Sequence, residues 1–268
     1  MPDFERLSEV RARRPLIHCI SNIVTANDCA NAALAIGASP IMAQAPEEMD
    51  DISRASDAEV LNTGTPDAQK FDAALICARI AAEDGRPVVL DPVGVGASPW
   101  RLRRVRELLE IPARGIVRVN LSEARALLSL SGREQGVDSP ESSTPAERAD
   151  TARALAAALS RSVLLTGPED VAAGPEGAAF VLRGGSPLMA YVTGTGCMLS
   201  VLCGVFAAVE PDMTAAAALA SAFWKLCAER ADAAAARLGP GSFRAALLDA
   251  AYAIDAAGFA AGAEIETI

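Results

Sequence analysis

"AEVLNTGTPDAQKFDAALICARIAAEDGRPVVLD", residues 58–91, is the unit from which the rest of the chain can be read. Its two ends, AEVLN (58–62) and PVVLD (87–91), are short apolar runs bounded by polar residues, glycine or proline, as strands buried on both faces are. Between them Phe71, Leu75, Ile76 and Ile80 recur at i, i+4, i+5 and i+9, which places them along one side of a helix. Strand, helix and strand in succession make a right-handed crossover joining parallel strands. Working outward, SPIMA (39–43) precedes this unit, while GIVRVN (115–120) and SVLLTG (162–167) follow it; Leu102, Val105, Leu108 and Leu109 mark a further amphipathic helix. The pattern predicts an α/β fold: a three-layer sandwich with a largely parallel central sheet and helices on both faces.

The later part changes character. EDVAAG and AAFVLRGG, split by PEG, read as a hairpin or an antiparallel edge added to the sheet, and from about residue 196 onward the chain reads as almost wholly helical. The stretch 131–150, rich in Ser, Pro, Gly and charge, reads as a loop leading into a helix that contains 151–160. It is too short to divide the chain, no repeat is visible, and residues 1–268 are expected to form a single domain.

Composition excludes several functions. With 24 basic against 34 acidic residues, a net charge of −10 and an isoelectric point near 4.7, the chain repels phosphate backbones and anionic lipid, so neither nucleic acid nor membrane is an expected partner. The apolar stretch 213–236 carries Lys225, Glu229, Arg230 and Asp232 and owes its hydropathy to alanine, which reads as a buried helix. The charged N-terminus has no secretory pattern. Six scattered cysteines without a CxxC pair, and the single histidine His18, read as reduced cytoplasmic thiols without a zinc site.

In open α/β sheets ligands bind beyond the carboxyl ends of the strands. Here those ends supply Asn62, Asp91, Arg118 with Asn120, and Thr166 with Gly167, a set suited to a magnesium-bound phosphate. Asp91 before Pro92 equally reads as a turn cap, and Asn120 to Glu123 as a helix-capping box, which need not exclude a second role. Arg118 inside a buried run demands a carboxylate or phosphate companion. In YVTGTGCMLSVLCGVFAAV (191–209), Gly194, Thr195 and Gly196 precede a helix start, where free N–H groups and the helix dipole form an anion hole, or else a plain structural turn. The same field would favour a thiolate at Cys197, which otherwise reads as a small core residue.

PLIHCISNIVTANDCANAALAIGASPIMA, LNTGT, LDPVGVGAS, NLSE, LLTG, VTGTGC and GPGSF occur in an order and spacing that resemble the hydroxyethylthiazole kinases, ribokinase-like enzymes of thiamine biosynthesis and thiazole salvage. The resemblance runs from about residue 15 to 250 and implies a ribokinase-like fold. The implied activity is magnesium-dependent transfer of the ATP γ-phosphate to the alcohol of 5-(2-hydroxyethyl)-4-methylthiazole. It further implies thiazole binding at Met42 and Gly194 with Asn22 lining the pocket, and ATP binding at Arg118 and Thr166 with Asn120 beside them. Asp91 and Glu123 then stand near the phosphates and magnesium, and Arg118 with the Gly194–Gly196–Cys197 loop serves catalysis. Cys197 occupies the place where related sugar and pyrimidine kinases carry an aspartate. A homotrimer with the thiazole pocket at the subunit boundary is implied as well. Three positions depart from the family pattern: Val119 replaces a glycine, Pro168 stands where glutamate is frequent, and Thr63 replaces an apolar residue. The rival readings are a kinase of another small alcohol, a binder that has lost turnover, and a hydrolase pairing Cys197 with His18, which requires those two side chains within hydrogen-bond reach.

Overall fold

The computed structural model describes residues 2–130, 144–235 and 238–268. Its strands are β1 (Leu16–Ile20), β2 (Ser39–Ile41), β3 (Ala58–Asn62), β4 (Val88–Asp91), β5 (Gly115–Asn120), β6 (Ser162–Thr166), β7 (Asp170–Ala173), β8 (Ala179–Leu182) and β9 (Ile265–Thr267). They form one sheet in the order β2-β1-β3-β4-β5-β6-β7-β8-β9. Every pairing from β2 to β6 is parallel, and β7, β8 and β9 are added antiparallel.

The helices among the described residues are α1 (Arg6–Arg13), α2 (Ala26–Ile36), α3 (Met49–Ala55), α4 (Ala68–Glu83), α5 (Pro99–Leu109), α6 (Leu121–Leu130), α7 (Pro145–Leu159), α8 (Thr195–Ala207), α9 (Met213–Ala235), α10 (Pro240–Ala253) and α11 (Ala256–Gly262). Two apolar layers result. Helices α1, α2 and α8–α11 pack on one face of the sheet, and α3–α7 on the other. This is the expected three-layer sandwich, and the 58–91 unit is its central crossover.

Strand alternation decides which side chains reach which layer. Val60, Val89, Ile116 and Leu164 enter the α8 layer, while Leu61, Leu90, Val117 and Leu165 enter the other. Two residues further along the first set stand Asn62, Asp91, Arg118 and Thr166. The period of two therefore aims four polar side chains from four adjacent strands at one helix, α8. That helix lies close to the sheet because Gly204 has no side chain: a Cβ there would come within 2.6 Å of Val60 and 3.3 Å of Ile17. One turn earlier Ser200 then reaches Asp91, its Oγ donating to Oδ2 at 2.7 Å.

The described chain after 196 is almost wholly helical, as expected, and its short strand Ile265–Thr267 pairs with β8 and covers its free edge. Two local expectations are corrected. The strand in 39–43 ends at Ile41, leaving Met42 and Ala43 beyond it. Within the expected 131–150 loop, helix α7 already begins at Pro145, started by a reciprocal capping box between Thr144 and Glu147; residues 131–143 lie outside the described residues. The long apolar helix α9 is buried in the α8 layer, and no single helix among the described residues is long and apolar enough to cross a membrane.

The close approach at Gly204 leads to a stability prediction. Gly204→Ala overpacks the α8–sheet contact and lowers the unfolding free energy by about 1–3 kcal/mol. Urea titration followed by circular dichroism reads this, and an unchanged midpoint would show that α8 does not need the close approach.

Candidate active site

The four aimed side chains form one buried network. Asp91 is fully buried; its Oδ2 accepts from Ser200 and, at 2.8 Å, from Asn62 Nδ2. Its Oδ1 faces Arg118 Nη1 at 3.5 Å. Arg118 Nη2 donates to Thr166 Oγ1 at 2.9 Å, and that hydroxyl donates onward to the Val119 carbonyl at 3.2 Å. Burial pushes the Asp91 carboxyl pKa up, with Arg118 and Ser200 opposing it. Burial also works against the Arg118 cation, but Asp91, Glu123 and Asp170 outweigh it and raise its pKa. Among the described residues, Arg118 Nε has no hydrogen-bond partner. A buried N–H of a charged group left in this state is poised for an anion.

The start of α8 lies over this pair. Gly194 is the N-cap, at φ +93°, and α8 has no side-chain cap. A Cβ at Gly194 would meet Thr25 Cγ2 at 2.6 Å, so both backbone angle and space call for glycine. Gly196 has a different reason: a Cβ there would sit 2.6 Å from Arg118 Nη2. The guanidinium thus rests beneath the uncapped first turn, where free N–H groups add to its positive field. Trp224 Nε1 fixes the turn by donating to the Thr195 carbonyl at 3.0 Å.

Cys197 corrects an expectation. Its sulfur accepts the second N–H of Asn62 at 3.3 Å. Burial, followed by the Asp91 charge, pushes the thiol pKa up despite Thr25, Asn62 and Arg118. The helix field does not make a thiolate here. His18 is no partner for it, because that ring is bonded to Glu59 and Ala43 beside α4, whereas Cys197 packs in the layer on the opposite face. A Cys–His hydrolase is excluded by this placement.

Other candidates are distributed as follows. Asn120 and Glu123 form the capping box of α6, Asn120 Oδ1 accepting from Glu123 N and Glu123 Oε2 from Asn120 N, both at 2.9 Å. The Asn120 side chain is exposed and occupied by capping. Glu123 Oε1 also accepts from Gly94 N at 2.9 Å, which holds the loop after Asp91 against α6. The Asp91 side chain does not cap its own turn. Asn22 Oδ1 accepts from Val24 N and from Thr65 Oγ1, joining the loops after β1 and β3. Met42, just beyond edge strand β2, makes no hydrogen bond with the network of this same chain among the described residues. Val119 turns its side chain into the α3–α7 layer, so its departure from glycine puts no bulk over Arg118. The Thr63 hydroxyl is absorbed by the Asp91 and Val93 carbonyls, both at 3.5 Å.

Beside Arg118 opens a cleft of about 620 Å³, lined among others by Thr166, Pro168, Gly184, Thr195, Trp224 and Lys225. Its volume falls in the range of small-ligand pockets. Lys225 Nζ donates to the carbonyls of Pro168 and Gly184, both at 3.3 Å, and pairs with Asp170 at 3.6 Å. On the other flank Lys70 Nζ donates to the Ser21 and Gly64 carbonyls at 2.7 and 2.6 Å. Burial, helped by Arg101 and opposed by Asp67, Cys197 and Asp91, pushes the Lys70 pKa down to about 8. The acids near Arg118 are hard oxygen donors. Asp91 Oδ1 and both Glu123 oxygens retain lone pairs, and no third His, Cys, Asp or Glu among the described residues joins them in a metal cluster. That donor set fits magnesium, which keeps waters and phosphate oxygens as most of its ligands.

Ser200, Lys70 and Lys225 were not singled out from sequence, although signals existed. Ser200 follows Gly196 by four residues and so shares its helix face. The chain contains only two lysines, both buried, and both tie loops at the two flanks of the site.

At the carboxyl edge of this mostly parallel α/β sheet a largely buried arginine lies beneath an uncapped, glycine-built helix start, an arrangement suited to an anion such as a phosphoryl group. A model of the hydroxyethylthiazole kinase family matches residues 7–257. A hydroxyethylthiazole kinase of Listeria monocytogenes serotype 4a is 43% identical over 251 residues, 93% of this chain and 92% of the relative. A structure of hydroxyethylthiazole kinase protein from Pyrococcus horikoshii superposes with a TM-score of 0.90 at 35% identity, covering 99% of this chain and 98% of that one. A ribokinase-like superfamily protein from Enterococcus faecalis, 16% identical with a TM-score of 0.58 over 92% of this chain and 93% of its own, shares the fold. The chain belongs to the hydroxyethylthiazole kinase family. It is a phosphotransferase.

Two predictions follow from the network. Arg118→Ala lowers kcat by about 10²–10³-fold, measured by steady-state kinetics, and also destabilises the fold because Asp91 is left uncompensated. Adding Asp91→Asn restores part of the stability and none of the turnover; recovery of turnover would remove Arg118 from the chemistry. Cys197→Ser keeps kcat within about tenfold of the parent, since a hydroxyl still accepts the Asn62 N–H. Complete loss in a folded variant would restore the nucleophile reading.

Proposed function

We propose that this site transfers the γ-phosphoryl group of ATP to the primary alcohol of 5-(2-hydroxyethyl)-4-methylthiazole, the reaction for which the family is named. The observation that carries the assignment of roles is Arg118: clamped between Asp91 and Thr166, with Nε unpartnered, it forms the floor of the cleft under the first turn of α8. ATP lies in the 620 Å³ cleft along Thr166 and Lys225. Its transferring phosphoryl group reaches Arg118 and the N–H groups of Gly194–Cys197. The alcohol oxygen forms the new O–P bond as the bond to the ADP oxygen breaks. In a loose transition state charge gathers on the phosphoryl oxygens, so positioning and cationic stabilisation supply most of the rate and the alcohol proton needs no strong base. Cys197 then contributes a neutral surface and an acceptor that orients Asn62.

Asp91 and Glu123 would hold magnesium, which when bound neutralises phosphate charge. The thiazole ring belongs on the flank formed by Asn22, Gly194 and Met42, where a flexible thioether suits an aromatic face. In a single chain Ile23, Val24 and Tyr191 on that flank are 73%, 64% and 73% exposed. Such apolar exposure beside a pocket supports a subunit boundary there, and we read the assembly as the homotrimer that the family resemblance implies, Met42 of one copy completing the pocket of another. The whole chain acts as one kinase domain. The six free cysteines support a cytoplasmic location.

The test is ADP release by the purified protein with Mg·ATP, comparing the thiazole alcohol with hydroxymethylpyrimidine and a panel of sugars. Thiazole-dependent release, a phosphorylated thiazole by mass spectrometry and loss of turnover on chelation are expected. Turnover of a sugar or pyrimidine alone would overturn the substrate assignment. A monomer by sedimentation that still turns over thiazole would overturn the trimer.

A further inference from the structure

His18, the only histidine of the chain, takes no part in the network around Asp91. It is completely buried in β1. Its Nδ1 lies 2.5 Å from Glu59 Oε2 on β3, and its Nε2 lies 3.0 Å from the carbonyl oxygen of Ala43. Ser53 Oγ donates to the other Glu59 oxygen at 2.7 Å. A carbonyl has no proton to give, so Nε2 carries an N–H. Nδ1 facing a carboxylate at hydrogen-bond distance then needs a second proton between nitrogen and oxygen. The His18–Glu59 pair therefore holds two protons, and Nε2 donates to Ala43 whichever side of the short bond the second proton occupies. With one proton fewer the contacts conflict: the carboxylate draws the remaining N–H to Nδ1, and the Nε2 lone pair is left facing the Ala43 oxygen.

Ala43 belongs to residues 42–45, which are neither helix nor strand. Among the described residues, the His18 bond is the sole side-chain hydrogen bond to that segment. Its neighbour Met42 is the position assigned above to the thiazole ring. We propose that His18 is a positioning residue for the alcohol substrate: by donating from Nε2 to Ala43 it holds Met42 in place, and does so only while it shares a second proton with Glu59. The proposal rests on the thiazole reading of Met42.

The groups facing the ring agree with this. Burial disfavours the cation, but the hydrogen bond and charge of Glu59, the Ala43 carbonyl and the more distant Glu48 outweigh it, and the His18 pKa is raised. From α4, Cys77 Sγ lies 3.8 Å from Nδ1 and donates to Met49 Sδ at 3.3 Å. Burial pushes that thiol far up, so it stays neutral. Arg86 reaches the Ser53 carbonyl from the far side at 2.5 Å. Because the folded His18 value lies above the unfolded one of about 6.5, the stabilisation is fully present below that unfolded value. It is lost as the pH rises through the folded value. Substrate positioning is lost in the same window.

A single histidine makes the test direct. In tag-free full-length protein with ¹⁵N-histidine and ¹³C-methyl methionine, NMR follows one imidazole and six methyls as the pH is raised from below the ordinary imidazole value. The ring is expected to hold its Nε2 proton at neutral pH and to titrate above the ordinary imidazole value, with the Met42 methyl, assigned by Met42→Leu, shifting in the same step. Over that step KM for the thiazole alcohol rises about tenfold, as for a lost buried hydrogen bond, while kcat and KM for ATP stay within about twofold. Glu59→Gln tests the mechanism, because an amide N–H can donate to Nδ1 of a neutral ring and leave Nε2–H on Ala43 at every pH. This variant should lack the KM step that accompanies the ring's titration in the parent, any change from Lys70 near pH 8 being common to both proteins, and retention of the parent's step would overturn the proposal. So would a ring that is neutral with a bare Nε2 at pH 7, or a Met42 methyl that ignores the ring's titration. If ring and methyl titrate together but no thiazole is phosphorylated at any pH, the brace stands and the substrate reading fails.

Discussion

The buried pairing of Arg118 with Asp91 is the constraint to which the rest of the site answers. Neither charge is tolerable alone in the interior, and each is held in its ionised form by the other and by neutral donors and acceptors around them. Asp91 needs Ser200 and Asn62 to satisfy its second oxygen, which requires α8 to lie close to the sheet. Arg118 needs the space above it, which requires glycine at 196. Among the described residues the pair leaves Arg118 Nε without a partner. On the proposed reading a phosphoryl group supplies what the fold withholds, so the shortage that costs stability in the free protein is turned to affinity and rate.

The two lysines show a second use of charge, in which the cation holds backbone in place. Each ammonium gathers two carbonyls: Lys70 those of Ser21 and Gly64, Lys225 those of Pro168 and Gly184. A compact ammonium with three rotatable donors can close two loops over itself. Elsewhere the chain uses arginine throughout: at the surface, in buried Arg148 and Arg161, and at Arg118, where a planar fork matches carboxylate and phosphate. The site is thus bounded by loops pinned from beneath, and the segment carrying Met42 is pinned in a third way, through His18.

Much of this was legible in the sequence. The three-layer fold followed from the spacing of apolar runs, and Asn62, Asp91, Arg118 and Thr166 followed from standing at strand ends. The helix start at Gly194 was marked by its glycines. What misled was local reasoning applied to an atom whose surroundings are not local. Cys197 in a first helical turn suggested a favoured thiolate, but burial and a neighbouring aspartate from β4 reverse that. The two readings of Asn120 and Glu123 were separated only when Asn120 was seen to spend its side chain on capping, and Glu123 to reach Gly94 as well.

By itself, then, the sequence determined the elements, the alternation that sorts side chains between two faces, and the set of strand ends from which a site had to be built, because these depend on periodicities of two and 3.6 that are written along the chain. Tertiary structure alone decided who meets whom. Ser200 touches Asp91 across 109 positions, and His18 meets Glu59 across 41. No local pattern records such distances. They exist because parallel crossovers bring β1, β3 and β4 side by side, and because Gly204 lets one helix settle low enough on them for short polar side chains to touch.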